Sequence, residues 1–488
     1  MEPISRRSAI TLGGIGAAFF IAGGVGLVWD GLSRTVPITG LASGEAFAEP
    51  EVRRSVGGVL DVRLSASPTP VVIGGTTVDA LTYNGSLPGP TLVVRPGDVL
   101  KISVNNQIGA PTNLHTHGLH VSPEGSSDNV FRQVDSGSLA DYQYEIPTDH
   151  PPGLFWYHPH HHGMTAEQVF AGMYGAIVVE DPDPIDATSG RVLVISDITF
   201  DSAGQILATS QMDRMSGREG EMLMLNGQIA PIISAHTGDR EQWSIVNACT
   251  SRYLDLTLTG QSMQLLGNDS GRFASPRDVT ELRLAPGNRA DVLVTMKAGT
   301  SQLQALPVDR GSVGSMTVSA PRATSTATLA TVVVAGASAG RTFASPPTTT
   351  PRDLRADKVD GSRTLTLAMG AAGMGMGGGG MMQFTIDGRT FDPNRVDQSV
   401  RAHTIEEWMI VNTSTMDHPF HLHVWPMQLV EVGGAPENDA VWRDVVNVPA
   451  KSHARVRIAF DDFTGKTVYH CHIFDHEDNG MMGVISVE

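Results

Sequence analysis

Ten of the 17 histidines in this chain fall into four tight clusters: His115 and His117; His158 and His160; His418, His421 and His423; and His470, His472 and His476. The last cluster is interleaved with Cys471 and followed by Met481. In a strand, residues i and i+2 leave the same face roughly 6 to 7 Å apart, so each HxH pair offers two imidazoles to one side. Around Cys471 the same alternation sends the thiolate one way and His470 and His472 the other, and one strand then touches two metal sites. A cysteine with two histidines and a weak axial methionine is the donor set of a blue-copper electron-transfer site; His418, Cys471, His476 and Met481 supply it. The opposite face, joined by the other clusters, offers eight imidazoles, which suit several copper ions better than one. A single HxH pair read alone would more often be structural or zinc-binding; four clusters together point to copper. His120, His150, His161, His162, His236, His403 and His453 stand outside this pattern and read as surface or supporting groups.

These ligands need a frame. A length of 488 residues suggests roughly three domains, and 53 Gly and 29 Pro with only 17% charged residues favour short strands and tight turns, hence an all-β fold. The chain also repeats itself: a glycine turn leads to an alternating strand ending in Val-Asn at Asn84-Gly85 to Val104-Asn105, Asn226-Gly227 to Val246-Asn247, and Asp387-Gly388 to Val411-Asn412. Domains are expected at 50–185, 186–322 and 362–488, with a Thr/Ala/Ser/Pro-rich linker at 323–361 and a Met/Gly-rich tract at 369–382. Tyr157-His158-Pro159-His160 matches Tyr469-His470-Cys471-His472, and Gly172-Met173-Tyr174-Gly175 matches Gly480-Met481-Met482-Gly483, so the outer domains read as duplicated metal-binding sandwiches. The middle domain carries Leu256 and Leu258 where the third has His421 and His423, and is expected to be a spacer without ligands.

The net charge of −17 repels phosphate backbones and anionic lipids, so no nucleic-acid role is expected. Cys249 and Cys471 are the only cysteines, and if Cys471 binds metal no intramolecular disulfide remains. Ser5, Arg6 and Arg7 precede an uncharged, moderately apolar stretch from Ser8 to Trp29, which resembles a twin-arginine export signal. Residues 1–48 therefore read as a signal cleaved after Ala48, or as a retained N-terminal membrane anchor. Either places the protein in the periplasm, cell envelope or outside the cell.

With HxH, HxH, HxxHxH and HCHxxxHxxxxM in order, the sequence resembles the three-domain multicopper oxidases over essentially the whole mature chain. The resemblance implies three consecutive cupredoxin-like Greek-key β-sandwiches and four copper ions. His418, Cys471, His476 and Met481 would hold type 1, His115 and His421 type 2, and His117, His158, His160, His423, His470 and His472 the type 3 pair, at the interface of domains one and three. It further implies four one-electron oxidations relayed through Cys471 and reduction of dioxygen to water, with Glu477 and Asp128 resembling the family's proton-relaying carboxylates.

Met369, Met374, Met376, Met381 and Met382, set among glycines, show no period of a core stripe. Soft thioethers bind Cu(I), so the tract reads either as a copper-collecting flap or as a disordered linker with incidental methionines. Met222 and Met224 read as core. The tract, the acidic surface and the export signal together resemble exported bacterial cuprous oxidases, giving oxidation of Cu(I) to Cu(II) as the leading reading. A laccase-like oxidase of phenols and aromatic amines is the alternative, and a non-catalytic copper store or carrier a third, which a complete trinuclear set disfavours.

Overall fold

The computed structural model describes residues 44–312, 325–338, 340–371 and 382–488, so the export-type segment 1–43 lies outside it. Among the described residues no helix is long and apolar enough to cross a membrane. Six sheets pair into three consecutive sandwiches of the cupredoxin-like kind. The strands form because apolar and polar residues alternate: Leu139–Glu145 buries Ala140, Tyr142 and Tyr144 and exposes every residue between, and Thr404–Asn412 follows the same rule.

The same braces recur in each sandwich. Asn84, Asn226 and Asp387 adopt φ near +50° before their glycines, and each side chain accepts a strand N–H, from Ser65, Val194 and Thr366 respectively. A buried asparagine then ties a strand end to two carbonyls: Asn247 to those of Arg252 and Leu284, Asn412 to those of Met416 and Val448. In the first sandwich this residue is Asn106, bonded to Ala110 and Val134, not the Asn105 that the repeat pattern picks out.

Two expectations about the middle sandwich change. Ala327–Ala335, which reads as linker by composition, is a strand pairing with Ile232–His236 and Gly299–Leu306. It buries Leu329, Ala330, Val332 and Val334 and closes the sheet as Met482–Val487 does in the third sandwich. The Leu256/His421 match is also off by one. The loop from Asn247 to the carbonyl it binds is five residues, against four after Asn106 and Asn412. Leu254 pairs with Leu284 as His418 pairs with Val448, so Thr257 and Thr259 occupy the places of His421 and His423. Leu254, Leu256 and Leu258 face the middle core.

Residues 45–48 belong to this frame: Phe47 N–H donates to Ile232 O at 2.9 Å and Ile232 N–H to Glu45 O at 2.7 Å. The expected cleavage point after Ala48 therefore lies within folded chain. All three sandwiches meet in one apolar cluster, with Leu154, Trp156 and Val169 from the first, Val194, Val246 and Ala248 from the second and Phe474 from the third.

Candidate metal centres

The strand Gly465–Cys471 lies between Met482–Val487 and His418–Leu422, with Phe420 opposite Cys471 and His421 opposite His470. Phe420, Leu422, Tyr469 and Cys471 enter the core of the third sandwich, so His470 and His421 face out of it. The short helix Phe474–Asp478 then brings His476 back towards the thiol. Cys471 Sγ lies 3.3 Å from His418 Nδ1 and 3.7 Å from His476 Nδ1, and all three residues are fully buried. Met481 is buried in the same core, and its carbonyl accepts the Cys471 N–H at 3.0 Å. His418 Nε2 meets Ser414 Oγ at 2.8 Å, and His476 Nε2 donates to Met215 O at 3.2 Å. Burial pushes the thiol up and His418 down to about 3, so without metal the donors are neutral and a cation is what would compensate a thiolate here.

On the other face, two pairs of strands meet across the seam between sandwiches one and three. His115 stands opposite His158 in the first, as His421 stands opposite His470 in the third. The outer histidines interleave: the His115 ring stacks on His423 at 3.9 Å and His117 on His421 at 4.0 Å. His160, His423 and His470 converge, their Nε2 atoms 3.1 Å apart along the two contacts of His470, and His117 Nδ1 lies 3.1 Å from His472 Nε2. Among the described residues the sets able to hold an ion are His115/His421/His423, His160/His423/His470, His115/His117/His158, His117/His421/Asp444 and His418/Cys471/His476. None of them, among the described residues, draws on the middle sandwich.

Three of the nitrogens facing inward lack any protein partner, as a metal site requires, and the others meet only one another. His115 Nε2, His158 Nε2 and His421 Nε2 are buried without a hydrogen bond. Their other nitrogens are anchored: His115 Nδ1 to Asp128 at 2.9 Å, His158 Nδ1 to Pro159 O at 2.8 Å and His421 Nδ1 to Asp444 O at 2.8 Å. Each anchor puts the proton on Nδ1 and leaves the Nε2 lone pair for a cation. His117 is reversed, with Nε2 on Asp444 Oδ1 at 2.9 Å and Nδ1 facing inward. Burial lowers His421 to about 3 and His160 and His470 to about 4, keeping them neutral.

Both expected carboxylates lie against the cluster. Glu477 is fully buried, 3.1 Å from His470 Nδ1 and 3.6 Å from His160 Nδ1, and burial raises its pKa. Asp128 accepts from His115 Nδ1 and, at 2.9 Å, from Thr116 N–H; burial raises it to about 7. Of the methionine tract, Met374, Met376 and Met381 lie outside the described residues. Met369 departs from the flap reading: it sits in the strand Gly361–Ala371 and packs on the third core. Met382 opens the strand Met382–Ile386, which pairs with it as a hairpin. Met224 is core and Met222 packs against it.

Several supporting groups carry no spacing signal. The Trp156 ring centre lies 4.2 Å from that of His158 and Phe474 lies 4.5 Å from His472, walling the cluster with apolar surface. Asp444 and Arg289, treated below, are likewise silent in the sequence. Val424, next to His423, takes φ +73°, unusual for a β-branched residue, with His120 Nδ1 donating to its carbonyl at 2.8 Å.

Three segments match multicopper oxidase families, at residues 66–184, 156–331 and 366–488. The fold is similar to a multicopper oxidase from Campylobacter jejuni described as a metallo-oxidase, with 31% identity, a TM-score of 0.80, and coverage of 91% of this chain and 95% of that one. The multicopper oxidase mco of Staphylococcus haemolyticus is 28% identical over 84% of each chain. Copper resistance protein A of Pseudomonas syringae pv. tomato is 27% identical over 51% of this chain and 48% of that protein. The family relationship thus runs through all three sandwiches and agrees with a donor set made for copper: the chain belongs to the multicopper oxidases, oxidoreductases whose cofactor is four copper ions, one type 1, one type 2 and a type 3 pair.

Proposed function

We propose that the protein is an exported cuprous oxidase, which takes four single electrons from Cu(I) and uses them to reduce dioxygen to two waters, protecting the cell from copper. The observation that carries this reading is the three-residue run His470-Cys471-His472, whose thiol faces one centre while both flanking imidazoles face the other. When bound, copper supplies the one-electron redox chemistry at both centres.

We assign His418, Cys471, His476 and Met481 to type 1, His115 and His421 to type 2, and His117, His158, His160, His423, His470 and His472 to the type 3 pair. The inward, unpartnered nitrogens of His115, His158 and His421 support a metal role for these residues. Trp156 and Phe474 keep bulk water from the histidines, so protons must come through side chains. Glu477, buried against His160 and His470 and with its pKa raised by that burial, is placed to pass a proton inward. Asp128 does the same from the His115 side.

Cu(I) as substrate is supported by where the methionine hairpin stands. Phe384, in its second strand, stacks on the His476 ring at 4.8 Å, and Phe384 pairs with Met369 in its first. The strands that flank the thioether-rich residues 372–381 in sequence therefore stand against a type 1 ligand. The Campylobacter metallo-oxidase and the copper resistance protein fit the same reading.

Oxygen uptake with Cu(I), Fe(II) and a phenol, on the full chain and on one with 372–381 replaced by a short turn, tests it. Loss of these residues should slow Cu(I) turnover about tenfold or more, equivalent to about 1.4 kcal/mol of transition-state stabilisation, and leave phenol oxidation intact. Unchanged Cu(I) turnover would remove the cuprous reading in favour of a laccase-like oxidase. No sustained oxygen uptake with any reductant would leave a copper store or carrier.

A further inference from the structure

We propose that the middle sandwich is part of the trinuclear centre's machinery: its Arg289 is a positioning residue that, through Asp444, holds the ligands His117 and His421 in the protonation forms that face the metal. The proposal rests on the ligand assignment above and adds a role for the domain that supplies no ligand. Arg289, in the strand Arg289–Thr295, is 1% exposed and reaches into the seam between the other two sandwiches. Its Nη1 and Nη2 donate to Asp444 Oδ1 and Oδ2 at 2.6 Å each, a fork-to-fork pair, and its Nε donates to Leu154 O of the first sandwich at 3.1 Å. One guanidinium from the second sandwich thus binds both of its neighbours.

Asp444 is the point where this reaches the histidines. Its Oδ1 accepts from His117 Nε2 at 2.9 Å and its main-chain carbonyl accepts from His421 Nδ1 at 2.8 Å. These two rings stack face to face at 4.0 Å and 5° across the seam. With the protons held there, His117 presents Nδ1 and His421 presents Nε2, the opposite choice from two neighbouring rings. Asp444 is 3% exposed, and both of its carboxylate oxygens are taken up by the Arg289 fork; Asp269 Oδ1 in turn accepts the Arg289 main-chain N–H at 2.8 Å.

The approach of the middle domain is close enough that side chains have been excluded from it. At Gly287, φ +86°, a Cβ would lie 2.8 Å from His472 Nε2 and 3.0 Å from His117 Cε1. At Gly118, φ +85°, it would overlap the Arg289 guanidinium. Simple glue between domains would not require glycine against the metal-facing rings.

Arg289→Gln in the copper-loaded full chain removes the charge and the fork. Expected are trinuclear copper that passes to a chelator about 10- to 100-fold faster, an altered type 2 electron paramagnetic resonance signal, and an unaltered thiolate-to-copper band. Arg289→Lys, which keeps the charge but one bond at a time, should recover part of the type 2 signal. If Arg289→Gln does not fold, Asp444→Asn reads the same effect, since an amide carries no charge and sets an NH2 donor against one of the two Arg289 N–H groups. Variants that melt at a lower temperature yet keep the wild-type type 2 signal and copper retention would overturn the proposal and leave a purely structural ion pair. Failure of the ligand assignment would look different, because the unmodified chain would then lack type 2 and type 3 signals.

Discussion

The strand Leu254–Leu258 of the middle sandwich and His418–Leu422 of the third occupy the same place in the same sheet order, each between a long partner and a short edge strand. Inward-facing Leu256 and Phe420 both build a core. The outward positions differ: Thr257 and Thr259 in one, His421 and His423 in the other. Ligation is thus decorated onto a frame whose core does not depend on it, and the sandwich without ligands contributes charge and contact instead, through Arg289, Gly287 and Met215. A duplicated scaffold has divided its labour by changing one face of one strand.

The largest effect should come from the outer face of the comparison. Cys471→Ser is expected to abolish the blue colour and bring oxygen uptake to background while the melting curve of the middle sandwich stays in place; measurable turnover would show that electrons do not need the thiolate. Acid should separate the domains next. His418 and His421 are depressed to about 3 and His160 and His470 to about 4, from an ordinary 6.5. Groups lowered in the fold favour it above their unfolded pKa, so stability is fully present above pH 6.5 and is lost as pH falls from there through about 3 to 4. Metal-free protein should lose several kcal/mol over that window. Hydrogen exchange should rise first in the strands around the seam and last in 254–306; uniform loss would contradict the picture. The smallest and most pointed test is the register itself. Leu256→His, into a packed core, should cost about 3 kcal/mol or more in denaturant melts. Thr257→His, on the half-buried outer face, should cost within about 1 kcal/mol. Equal costs would restore the Leu256/His421 match.

The ligand clusters were legible because metal chemistry demands particular residue types at strand spacing, and that demand survives in the sequence as HxH and HCH. The paired sandwiches were legible from turn glycines and strand alternation. What spacing could not show depended on contacts between distant segments: Arg289 and Asp444 lie 155 residues apart, and neither belongs to a motif that periodicity can find. The one-residue slips at Asn105 and Leu256 have a different cause, since loop lengths vary by one while the asparagine brace stays put. Ala327–Ala335 reads as linker because the surrounding Thr, Ala, Ser and Pro dilute a short apolar run, Leu329 and Val332–Val334, that shows as a strand only once partner strands cover it.

His117 and His472 touch at a sequence separation of 355, and His160 and His470 at one of 310. A growing polypeptide therefore holds the first sandwich's share of the histidine cluster long before the third sandwich's share has been synthesised. Full loading waits for the C-terminal strand: a nascent chain stalled before residue 470 could gather His115, His117 and His158, but without His470, Cys471 and His472 the set around His470 and the thiolate site stay open.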